Sequence, residues 1–180
     1  MNPSINFTQE ADAIAANISR PDVVKVCGIP KVPDEGPSSE LFSGNHLSKN
    51  FTLEELTASA TAKIRNIRNI PSPLHLLNLV RLCREVLQPI RDKYGKSIKV
   101  TSGYRSETLN KALGGVKTSQ HLKGEAADIT SADNHELWDI ICKMILEGEI
   151  SVGQLIDEKN LKWIHISVPD SGHRNQILHL

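Results

Sequence analysis

Ser119-Gln-His-Leu-Lys-Gly-Glu-Ala-Ala-Asp-Ile-Thr130 is the stretch on which the fold turns. Ala126 to Ile129 is short, small and apolar, which reads as a buried strand, yet it carries a carboxylate at Asp128. Seven residues before that carboxylate stands His121. Further along, Trp163-Ile-His-Ile-Ser167 alternates with a period of two. Ile164, Ile166 and Val168 share one face of that strand, and Trp163, His165 and Ser167 share the other. One face is fitted to a core, and the other presents an imidazole.

Outward from these strands the pattern is mostly helical. Val152 to Ile156 predicts a strand joined to Trp163–Val168 by a turn at Lys159-Asn160, and Ile98 and Val100 alternate with Lys99 and Thr101 in another. Thr52-Leu-Glu-Glu55 is a capping box that opens a short helix. Pro71 to Tyr94 is the longest helical pattern, with Leu77, Val80, Leu87, Ile90 and Tyr94 at helical spacing and Leu76, Leu79 and Cys83 widening the stripe. Pro89 is expected to kink or tighten it, and Gly95 to end it. Glu107 to Leu113 predicts a short helix closed by Gly114-Gly115. Asp133 starts another, with Leu137, Ile141, Met144 and Ile145 as its core face and Gly148 as its stop. Helices first, then strands joined by hairpins and short helices, favour α+β over a doubly wound parallel sheet.

Composition narrows the function. The chain has 180 residues, with 21 Lys plus Arg against 21 Asp plus Glu. Zero net charge argues against a general nucleic-acid binder, which needs excess positive charge. No apolar run is long enough to span a membrane. Cys27, Cys83 and Cys142 are widely spaced, with no CxxC pattern for a thiolate zinc site. Cys83 and Cys142 are expected as small buried hydrophobes, a usage that fits a reducing cytoplasm. Residues 1–46 hold five of the nine prolines and read as an N-terminal, linker-like extension, with a short helix from Thr8. Residues 47–180 form the main domain, with a polar tail from about 169. The N-terminus shows no basic and apolar leader pattern, so synthesis in the cytosol is expected.

His121, Asp128 and His165 together suit a catalytic Zn²⁺. Two nitrogen donors and one oxygen donor fill three positions and leave the fourth open for water. Such a site needs a carboxylate to take a proton from that water; Asp157 and Glu158, just before Trp163, are the nearest candidates. It also needs a donor for the developing oxyanion, and Arg105 in Ser102-Gly-Tyr-Arg-Ser106 is placed for that.

Ser119-x-His121-x-x-Gly124-x-Ala126-x-Asp128, with Ser-Gly-Tyr-Arg upstream and Trp-x-His-x-Ser downstream, resembles the zinc D-Ala-D-Ala carboxypeptidase family. That superfamily also holds L-alanyl-D-glutamate endolysins and the hedgehog signalling domain. The likeness spans roughly Leu47 to Val168, and Phe51-Thr-Leu-Glu-Glu-Leu56 is similar to its small bacterial and phage branch. The resemblance implies a small α+β domain, its mostly antiparallel sheet flanked by helices and its zinc on the open sheet face. It implies His121, Asp128 and His165 as ligands of one Zn²⁺, Arg105 as the contact to the substrate carbonyl or carboxylate, and Ser119 and Trp163 as substrate-binding residues. Many members carry the general base three residues before the last histidine, where this chain has Lys162. The alternative placement at the end of the preceding strand assigns the base to Glu158, with Asp157 second. The implied activity is metal-assisted hydrolysis of a peptide bond in the stem peptide of bacterial peptidoglycan, of D,D-carboxypeptidase or L,D-endopeptidase type, by a protein that reaches the wall through phage-type lysis or non-classical export. The competing expectation is a zinc-containing module that binds peptidoglycan or a protein without cutting it.

Overall fold

A computed structural model of the chain describes residues 45–180. The extension read over residues 1–46, its helix from Thr8 and Cys27 lie outside the described residues, apart from Asn45 and His46. His46 makes an isolated antiparallel bridge to Thr52. Thr52 then caps α1 (Leu53–Thr57) with the predicted box: its hydroxyl accepts from the Glu55 N–H, and the Glu55 carboxylate accepts from the Thr52 N–H. Ser59 caps α2 (Ala60–Ile64).

The long helical pattern is one continuous rod in three parts: α3 (Pro73–Arg81), a π-helical turn (Leu82–Leu87) and α4 (Gln88–Tyr94). Pro89 does not tighten it. A proline ring in a regular α-helix collides with the carbonyl four residues back. Here the helix widens just before the proline, and the Gln88 N–H reaches back five residues to the Cys83 carbonyl. Gly95, at φ +70°, ends α4 as expected. Leu77 departs from its expected core position: it is 61% exposed, while Leu79, Leu82, Cys83, Val86, Leu87 and Ile90 are fully buried. The widened turn shifts which residues face inward, so a stripe drawn at constant α-helical spacing misplaces the first turns.

The remaining elements are β1 (Lys99–Ser102), α5 (Glu107–Ala112), a 3₁₀ turn (Gln120–Lys123), β2 (Ala126–Thr130), α6 (Asn134–Leu146), β3 (Gln154–Glu158), β4 (Trp163–Ser167) and β5 (Gln176–His179). The strands form one sheet in the order β1-β2-β4-β3-β5. Every pairing is antiparallel except β3 with β5. This is the expected α+β class, a mostly antiparallel sheet with helices.

Strand β3 begins two residues later than the apolar pattern indicated and takes in Asp157 and Glu158. Strand β5 arises within the stretch read as a polar tail. Its pairing needs only main-chain groups: Gln176 N–H donates to the Gly153 carbonyl at 3.0 Å and Leu180 N–H to that of Asp157 at 2.9 Å. An exposed edge strand needs no apolar alternation, so composition did not mark it.

The core lies on one face of the sheet. Ala127, Ile129, Leu155, Ile164 and Ile166 are fully buried there, packed with Leu82, Val86 and Leu87 of the rod and Leu137 and Ile141 of α6. Full burial of each Leu, Ile or Val side chain among them is worth roughly 1.5–3 kcal/mol relative to exposure. The alternate residues, including Asp128, His165, Trp163 and Glu158, fall on the opposite face.

Candidate metal centre

Cross-strand register builds the site. Asp128 on β2 pairs directly with His165 on β4, so both side chains project from the same face. His121 arrives from the 3₁₀ turn, which Gly124 closes at φ +72°. A Cβ on Gly124 would lie 2.5 Å from the His75 carbonyl oxygen. Glycine is therefore required twice, for the left-handed backbone and for the close approach.

Three donor atoms converge. His165 Nδ1 is 3.0 Å and His121 Nε2 3.3 Å from Oδ1 of Asp128. One ligand atom from each residue lies within 4.8 Å of the others. The outer nitrogens are already committed. His121 Nδ1 lies 2.7 Å from the Gly103 carbonyl, which can only accept, so that nitrogen carries the proton and Nε2 presents its lone pair. His165 Nε2 lies 3.3 Å from Oε1 of Gln120. Two imidazole lone pairs and a carboxylate oxygen pointing at one another repel unless a proton or cation sits among them. The donor set thus fits a divalent metal of intermediate softness.

The other carboxylate oxygen is also paired. Arg105 Nη2 donates to Oδ2 of Asp128 at 2.7 Å, and Nε donates to Ser102 Oγ at 2.8 Å. A register irregularity in β1 between Val100 and Ser102 sets Ser102 opposite Asp128 and so within reach of the arginine. The loop behind is pinned. Asn69 donates to the carbonyls of Thr57 and Tyr104 and accepts from the Ser106 N–H. Gly103 lies so close to the end of α1 that a Cβ would fall 2.3 Å from the Leu56 carbonyl oxygen. Among the described residues Arg105 Nη1 has no hydrogen-bond partner.

Burial sets the charges. Desolvation pushes the His121 pKa below its ordinary value and outweighs the opposing pull of Asp128, so the ring stays neutral and able to ligate. Burial alone would raise Asp128, but the adjacent His121 and His165 outweigh it and hold its carboxyl well below the usual carboxylate range.

Glu158 pairs with Trp163 across β3 and β4, and Ile156 pairs with His165, so Glu158, Trp163 and His165 share the site face. Asp157 alternates to the other face. Its carboxylate accepts from the Leu161 N–H and lies 3.1 Å from His179 Nδ1. Lys162 is exposed in the turn before β4. Trp163, Asp128 and Arg105 line one open hollow of about 330 Å³, together with Ala58, Thr61 and Thr101. Ser119 instead lines a second hollow of about 440 Å³ beside His75, Tyr104 and Lys117. Three participants escaped the sequence reading: Ser102, the Gly103 carbonyl and Gln120. Ser102 and Gly103 stand inside the quoted Ser-Gly-Tyr-Arg motif, and Gln120 inside the Ser-x-His motif, but nothing in their residue types marks them as supports.

A small α+β domain holding His, Asp and His on an open sheet face, with a half-buried arginine beside them, defines a metallopeptidase-type centre. The peptidase M15 family matches residues 49–167, and the chain belongs to that family. No curated protein matches the chain. No described helix is long and apolar enough to cross a membrane.

Proposed function

We propose that this protein is a zinc peptidase that hydrolyses a peptide bond in the stem peptide of bacterial peptidoglycan, of D,D-carboxypeptidase or L,D-endopeptidase type. The observation that carries the reading is the convergence of His121, Asp128 and His165, in a chain of the M15 family, with Glu158 on the same face of the sheet. His121 Nε2, His165 Nδ1 and an Asp128 oxygen would hold the ion. When bound, zinc supplies a Lewis acid that polarises the scissile carbonyl and lowers the pKa of water.

The chain's own groups supply the rest. Glu158 is the general base: it takes the proton of the attacking water and hands it to the leaving amine as the C–N bond breaks. Arg105 keeps Nη2 on Asp128 and offers Nη1 to the substrate carbonyl oxygen or a terminal carboxylate. Trp163 walls the hollow on the Glu158 side, and Ser119, just before the 3₁₀ turn, faces the second hollow, where a longer substrate would meet it. Mass spectrometry of digested muropeptides, with and without chelator, tests the reading. A chelator-sensitive new peptide terminus is expected. Wall binding without any cleavage would instead establish a binding module.

A further inference from the structure

Gln120 reaches one ring of the metal centre from outside, and Asp170 reaches Gln120. Gln120 Nε2 donates to Asp170 Oδ2 at 3.4 Å, while Gln120 Oε1 lies 3.3 Å from His165 Nε2. A carboxylate cannot donate, so the NH₂ end of the Gln120 amide must face Asp170 and its oxygen must face the ring. The ring must then donate through Nε2–H, which in the neutral imidazole leaves Nδ1 unprotonated. Nδ1 is the atom 3.0 Å from Asp128 Oδ1.

Asp170 is itself fixed. Its Oδ1 accepts from the Gly172 and His173 N–H groups, each at 2.7 Å, and lies 3.1 Å from His173 Nδ1. Oδ2 also lies 3.1 Å from His173 Nδ1 and takes the Gln120 amide as a second partner. The chain of constraint runs from the Pro169–His173 turn through one amide to the tautomer of one ligand. His121 needs no such relay, because a backbone carbonyl fixes it directly.

We propose that Gln120 and Asp170 are positioning residues that select the Nδ1-ligating tautomer of His165, and so set how tightly the metal is held. The inference rests on the metal reading above. Outer partners of ligating histidines commonly change metal affinity by about 10- to 100-fold when removed.

The test measures the zinc dissociation constant by chelator competition on the full chain. Gln120→Leu should bind zinc about 10- to 100-fold more weakly than wild type, with unchanged unfolding of the metal-free protein. Asp170→Ala should weaken binding less, and should add nothing in the Gln120→Leu background. Gln120→Glu combined with Asp170→Asn exchanges donor and acceptor at the inner contact, keeps an oxygen facing His165 and should restore affinity to within a few-fold. In nitrogen-15 spectra of the zinc-loaded wild type, His165 should carry its proton on Nε2. Wild-type affinity in Gln120→Leu, a proton on His165 Nδ1, or failure of the exchanged pair to rescue would overturn the proposal. A wild-type protein that binds no zinc would instead remove the metal reading beneath it.

Discussion

Asp128 and His165 are direct partners across the β2–β4 ladder, with Nδ1 of the histidine 3.0 Å from Oδ1 of the carboxylate. Register alone aims both at the same point, since a one-residue slip would turn either side chain into the core. The other oxygen of Asp128 holds Arg105 in a largely buried ion pair.

Removing the carboxylate therefore strands a cation. Asp128→Ala should destabilise even the metal-free protein by about 3–5 kcal/mol, the usual effect of breaking a buried pair from one side. Urea unfolding in chelator measures it. Adding Arg105→Ala should recover part of the loss.

Glu158→Gln should lower kcat about 10²- to 10⁴-fold, the range of general-base catalysis, with zinc content unchanged. Asp157→Asn should keep kcat within a few-fold of wild type, because Asp157 sits on the other face and is held by Leu161 and His179. Steady-state kinetics on a muropeptide, paired with metal analysis, separates the two.

Gly124→Ala tests the turn that delivers His121. The left-handed backbone alone costs a non-glycine residue about 1–2 kcal/mol. The approach to the His75 carbonyl adds to it. Thermal unfolding of metal-free Gly124→Ala should show a loss of at least that size, whereas Gly95→Ala, which meets nothing within 4 Å, should show only the backbone cost.

Most elements were legible because each rests on a local signal, and the candidate metal group of His121, Asp128 and His165 was legible through motifs that resemble a known family. Alternation placed His165 opposite a core face, and the Thr52–Glu55 box marked the start of α1. What stayed hidden depends on contacts distant in sequence. The partner of Gln120 lies 50 residues away, and that of Ser102 is set by a bulge opposite Asp128. The face on which Glu158 stands depends on where β3 pairs with β4, which a two-residue error in the strand boundary leaves open. Leu77 was misread because the rod changes its helical pitch before Pro89.

Cys83 gives a pH signature. Burial pushes its thiol pKa from 9.0 up to about 12, so the fold holds the neutral form. The unfolded chain ionises near its ordinary value, so stability is fully present below pH 9.0 and falls as the pH rises from there toward 12. Denaturant titrations across that window should show the decline, and Cys83→Ala should reduce it, with the remainder carried by Cys142 and Tyr104, whose pKa values burial also raises. Iodoacetamide at pH 8 should label Cys83 only in denaturant.

Zinc stoichiometry of the purified protein, beside that of His121→Ala, tests the central claim most directly. The structure's convergent donors predict one tightly bound ion per chain, lost with His121→Ala. A wild-type chain holding less than one equivalent, or a His121→Ala chain holding as much as wild type, would contradict it.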